Sequence, residues 1–226
     1  MTRWVMAFRT RYVVRVVEDG KLVRKKRFAT KDAALNFVAD KLVRRRKVKI
    51  ARKRVFNLET FQNTAWGLLP HDPWVSTQGP LSMLFIHHTV TRQLPVSATV
   101  EEEKSEMRLL DQIAHSRGYN GISYCWAVFP SGRCYEGRGW LIQEAATKDF
   151  NTSSDSIALV GNYSEFKMND RQRAAIRKLV NRAQRKGVFV KSGLNVRAHR
   201  EVSATACPGT KITDAEIQRI QHLVNR

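Results

Sequence analysis

The chain has 226 residues, 42% of them hydrophobic, enough to bury one sizeable core beside a small second domain. Its net charge is +20, an excess that suits nucleic acid, anionic wall polymer or an acidic membrane surface, or else a merely solvated basic face. No apolar run nears the roughly 18 residues of a membrane span. Arg9 interrupts the first apolar stretch too early for a secretory signal, and three cysteines cannot all pair, which argues against a disulfide framework.

The charge is concentrated at the start, where residues 1–57 hold 19 Lys/Arg against four Asp/Glu, or +15. Tyr12-Val13-Val14-Arg15-Val16-Val17 is β-branched and aromatic, Glu18-Asp19-Gly20 is a turn signal, and residues 22–28 can return as a second strand. Thr30 can cap a helix over 32–44, with Ala34, Leu35, Val38 and Leu42 on one face. Val48, Ile50 and Val55 suit a third strand, completing a small basic ββαβ domain over 1–57. Residues 58–80, with Pro70, Pro73, Gly79 and Pro80, read as a linker and domain entry.

From residue 81 to 226 strands and helices alternate. A buried strand is expected over 81–86, with His87 at or just past its carboxyl end, where ligands gather in open α/β sheets. Thr99-Val100-Glu101-Glu102 is a capping box for a helix to about Arg117, with Met107, Leu110 and Ala114 on one face. Residues 122–129 and 133–136 suit a hairpin that sets Phe129 opposite Cys134 and leaves Cys125 and Cys134 as reduced strand residues. A second buried strand is expected over 156–160, and Asn169 or Asp170 caps a helix ended by Gly187. A short strand over 194–198 delivers His199, and Thr213 to Glu216 is a capping box for a last helix. The class is α/β, a mixed central sheet flanked by helices.

Chemistry concentrates in residues 197–209, where His199 and Cys207 stand eight positions apart and Pro208-Gly209 follows the cysteine. Imidazole and thiolate are the ligands zinc prefers, and a catalytic zinc takes three protein ligands and keeps one open position. The third candidate lies in Ile86-His87-His88-Thr89. Either histidine fits, because neighbouring strand residues point to opposite faces. The bland alternative is a surface histidine and a buried small thiol. His71, His115 and His222 read as structural or surface residues. A His₂Cys set also suits blue copper, but none of the five methionines is near His199 or Cys207 in sequence.

Ala65-Trp66-Gly67, Ile86-His87-His88-Thr89, Gly121-Ile122-Ser123-Tyr124, Tyr135 to Trp140, Ser156-Ile157 with Val160 to Tyr163, and His199 to Gly209 occur in that order. In these motifs residues from about 60 to 226 resemble the peptidoglycan-recognition-protein and type 2 N-acetylmuramoyl-L-alanine amidase family, which includes many phage lysins. Residues 1–57 lie outside the resemblance.

The resemblance implies that the first histidine of the pair, His87, with His199 and Cys207, binds zinc (Zn2+), and that Tyr124 assists catalysis. The bond cut would be the amide joining N-acetylmuramic acid to L-alanine of the stem peptide. Tyr124, protonated at neutral pH, suits donation to a developing oxyanion. Some relatives carry a catalytic lysine where this chain has Thr205, which brings a hydroxyl without charge to that catalytic position. Many carry a histidine where Ala146 stands. No general base is evident. The expectation is a monomeric phage lysin, made in the host cytoplasm without a signal peptide and acting on the wall after release, with residues 1–57 on an anionic wall polymer. The alternatives are a non-catalytic peptidoglycan-binding protein, disfavoured by the presence of Cys207, and a nucleic-acid-binding regulator working through residues 1–57.

Overall fold

The computed structural model describes residues 58–226 in full and, before them, the backbone of the strands at 10–18, 21–28 and 48–54. The chain divides into two compact units, 1–57 and 58–226. In the first, β1 (Thr10–Glu18) lies between β2 (Lys21–Phe28) and β3 (Val48–Arg54), antiparallel to both. The helix expected over 32–44 lies outside the described residues.

The second unit is built on a six-stranded mixed sheet. Its strands are β4 (Thr60–Phe61), β5 (Met83–His88), β6 (Trp126–Val128), β7 (Cys134–Glu136), β8 (Asp155–Leu159) and β9 (Asn195–Ala198), in the order β4-β7-β6-β8-β5-β9. Only the β6–β7 hairpin is antiparallel; every other pairing is parallel. Helices α1 (Val100–Ser116), α2 (Asp170–Arg185) and α3 (Asp214–Val224) cover it. Period-2 alternation assigns the two faces. Leu84, Ile86, Val128, Ile157 and Leu159 pack with Ile176, Leu179 and Val180 of α2 and with Ile217 and Ile220 of α3. On the other face Ala127, Phe129 and Tyr135 pack with Met107 and Leu110 of α1 and with Trp66. The central strands are therefore buried on both sides, as their near-continuous apolar runs require.

Local signals formed where the sequence puts them. Thr99 caps α1 in a complete box with Glu102, and Asn169 caps α2 in one with Gln172. Cys125 and Cys134 are buried free thiols.

Three expectations are corrected. Val128, not Phe129, pairs with Cys134, because Phe129 N–H already closes the turn on Arg133 O. At α3, Thr213 Oγ1 accepts from Glu216 N–H, but the reciprocal half of the box is absent. Glu216 is instead held by Arg173 of α2, at 2.7 and 2.8 Å. Within 58–80, Thr60 and Phe61 form the edge strand β4, and Trp66 is fully buried with its indole N–H on Glu136 O at 2.7 Å. That stretch is part of the folded unit.

Candidate metal and catalytic site

β5 runs between β8 and β9 and ends in His87-His88. Alternation sends the two rings to opposite faces. His88 is used structurally: its Nδ1 accepts Tyr163 N–H at 3.1 Å. His87 is buried on the other face, its ring 6.4 Å from Phe85. His199 opens a short 3-10 turn directly after β9, which brings it alongside His87 with ring centroids 4.6 Å apart.

The loop after His199 folds back. Arg200 N–H donates to Cys207 O at 2.8 Å, and Cys207 N–H donates to Thr205 Oγ1 at 3.2 Å. Gly209 follows at φ +100°, and a Cβ there would come within 2.3 Å of the Tyr163 backbone, so only glycine fits this approach. The thiol that results lies 3.5 Å from His87 Nδ1 and accepts His88 N–H at 3.4 Å. Donor atoms of His87, His199 and Cys207 all lie within 4.8 Å of one another, and these three could hold a metal ion.

Burial disfavours charge on all three side chains. Burial, then the nearby His199 and His88, holds His87 well below the usual imidazole range, and burial lowers His199 too. Burial pushes the Cys207 thiol up to about 11, with His88 N–H and Arg200 pulling the other way. The far nitrogen of His87, Nε2, lies 3.1 Å from Thr147 Oγ1, which orients the ring with Nδ1 toward the cysteine.

Tyr124 stands on the 120–125 segment before β6, its ring 5.5 Å from that of His87. Among the described residues nothing hydrogen-bonds its hydroxyl. Burial first, and then the neighbouring Cys207, raises its pKa, so the group keeps its proton. Thr205 is exposed on the Cys207 loop.

Sequence reasoning thus named His87, His199, Cys207, Tyr124 and Thr205, and the fold brings the first four around one point, with Thr205 tied to the cysteine backbone. It missed Thr147, because a threonine orienting a histidine sixty residues away leaves no local signal. His71 stacks on Trp74 at 3.8 Å, and His115 lies 3.9 Å from Asp111.

The family model described as N-acetylmuramoyl-L-alanine amidase matches residues 77–210, a span that contains His87, Tyr124, Thr147, His199, Thr205 and Cys207. The chain belongs to this amidase family. Peptidoglycan-recognition protein SC2 of Drosophila melanogaster is 28% identical over 165 residues, covering 73% of this chain and 88% of that protein. A Mus musculus N-acetylmuramoyl-L-alanine amidase is 26% identical over 149 residues, 65% of this chain but 28% of its own length. Among solved structures, Drosophila PGRP-LB superposes with a TM-score of 0.67 at 24% identity, over 72% of this chain and 94% of that one. PGRP-LE in complex with tracheal cytotoxin, a monomeric diaminopimelic acid-type peptidoglycan, gives 0.66 at 26%, over 74% and 96%. The family match accordingly lies within the unit 58–226 and outside the basic N-terminal unit.

Proposed function

We propose that residues 58–226 hydrolyse the amide between N-acetylmuramic acid and L-alanine in peptidoglycan, with zinc held by His87, His199 and Cys207. The observation that carries this is the donor set itself. Zinc–nitrogen and zinc–sulfur bonds of ordinary length at a tetrahedral angle separate the two atoms by about 3.6 Å, and His87 Nδ1 and Cys207 Sγ are 3.5 Å apart. Zinc bound there would act as a Lewis acid and bring the pKa of water toward about 7.

The chain's own groups supply the rest. Thr147 fixes the His87 ring through Nε2, leaving Nδ1 free to bind. Tyr124, protonated and with a free hydroxyl, can donate to the oxyanion that develops on the scissile carbonyl. Thr205 holds the Cys207 loop through its Oγ1, which accepts Cys207 N–H. The partner is a muramyl peptide, consistent with the complex of the related PGRP-LE. The physiological setting would be the bacterial wall, attacked by a lysin acting as a monomer. Residues 1–57 would hold it to anionic wall polymer; the strand register sets Arg15 between Lys25 and Lys49 in that unit.

Recognition without cleavage is the competing function, favoured by the relatives named recognition proteins. Mass spectrometry of purified peptidoglycan after digestion separates the two. Amidase action releases intact stem peptides that begin at L-alanine and forms no new reducing sugar ends. Binding with an unchanged product profile would overturn the proposal.

A further inference from the structure

Tyr124 has to be aimed, and its own hydroxyl takes no part in aiming it. The segment that carries it is fixed through its backbone. Asp111 of α1 accepts Ile122 N–H at 2.7 Å, and the carbonyls of the same segment converge on one side chain, Arg138. Arg138 Nε donates to Ile122 O at 2.6 Å and Nη2 to Asn120 O at 3.1 Å, while its backbone N–H donates to Tyr124 O at 3.0 Å. Nη1 donates to Gln143 O at 2.8 Å, on the segment that leads to Thr147. The guanidinium lies 5.3 Å from the Trp74 ring, and Trp74 Nε1–H shares the Asn120 carbonyl at 2.7 Å.

One planar cation therefore joins two loops. One bears the hydroxyl that would meet the substrate, and the other bears the threonine that orients His87. We propose that Arg138 is a positioning residue that sets the Tyr124 hydroxyl relative to the His87–His199–Cys207 centre. It rests on the amidase function above, and it assigns to Arg138 a catalytic consequence without contact to substrate or metal.

The physical case is the fork. Guanidinium presents donors in one rigid plane and can satisfy three carbonyls at once. The lysine ammonium is a point charge on a flexible stem and cannot span all three. Displacing a catalytic group by about 1 Å can cost about 10²-fold in rate. Arg138 is held in place from every side, so the loss should fall on geometry rather than on substrate affinity.

The test is a double-mutant cycle on the full chain with a soluble muramyl-L-alanyl peptide, using Arg138→Lys, Arg138→Gln, Tyr124→Phe and the combined variants. Zinc per chain is measured in each. Arg138→Lys should lower kcat about tenfold or more, with KM changed less than about threefold and zinc retained. In the Tyr124→Phe background the same replacement should cost less than about twofold, because residues acting through one another are not additive. Full, multiplicative losses in the double variant overturn the positioning role while leaving the amidase function standing. A Tyr124→Phe protein with the wild-type rate removes Tyr124 from catalysis and overturns the positioning role with it, again leaving the amidase function standing. Loss of zinc in the Lys and Gln variants, or failure of both to fold, assigns Arg138 to the scaffold and also overturns the proposal.

Discussion

Thr147 and His87 meet through one contact of 3.1 Å between Oγ1 and Nε2, buried on both sides. Partners of this kind hold a ligand ring in one orientation, and their loss typically costs about 10–100-fold in metal affinity. Thr147→Val keeps the shape and removes the oxygen. The expected outcome is weaker zinc binding by that factor in a competition titration, with near-normal turnover once zinc is saturating. Unchanged affinity would reduce Thr147 to packing. At this scale the sequence was informative about types and silent about faces. It named both His87 and His88, but the choice depends on which side of β5 meets Cys207, and Cys207 is 120 positions away from His87. Tyr163 N–H then occupies His88 Nδ1, a contact no spacing rule contains.

At the level of elements, the connection between β7 and β8 and the first residue of β8 bury two carboxyl groups beside Cys125. Asp155 Oδ1 lies 3.4 Å from the thiol sulfur and Glu144 Oε2 3.8 Å from it, with Ser154 donating to Glu144 Oε1 at 3.3 Å. Arg138 and Tyr124 also feel the Glu144 charge. Burial, with repulsion from Asp155 added, raises Glu144 from its ordinary 4.5 to about 8, and burial raises Asp155 to about 6. Between pH 4.5 and about 8 the unfolded chain has released the Glu144 proton and the folded chain has kept it. The unfolded state then binds fewer protons, so stability falls as pH rises through that window. Denaturant unfolding should show this decline, and Glu144→Gln should flatten much of it. An identical slope in both proteins would mean that the group ionises freely when folded. The capping box at Thr99 was legible because both partners lie within one turn, whereas the cap of α2 was narrowed only to Asn169 or Asp170, and its box with Gln172 emerged in the structure. The box at Thr213 was only half legible, since Arg173 of another helix competes for Glu216. The edge strand β4 was not legible, because two residues have no periodicity to display and pair with β7 more than seventy positions on.

For the whole molecule, the division at residue 57 separates a +15 segment from a unit that contains the entire site. A basic module on an insoluble anionic substrate raises the local concentration of the tethered site without adding a catalytic contact. Its attraction should fade as the Debye length shrinks from about 10 Å at 0.1 M salt to about 3 Å at 1 M. Residues 58–226 alone should therefore still cut soluble muramyl peptides but sediment poorly with purified walls at low salt. Equal wall binding with and without residues 1–57 across a salt series would rule this out, and tight binding to duplex DNA in place of walls would give the N-terminal unit a regulatory role. The central claim concerns the metal. The most direct test is zinc per chain, measured in the same preparations as peptidoglycan hydrolysis, for the wild-type protein, the chelated protein and Cys207→Ser. The account predicts one zinc per chain, loss of hydrolysis on chelation with recovery on adding zinc, and joint loss of most metal and activity in Cys207→Ser; a Cys207→Ser protein with full zinc and full activity would contradict it.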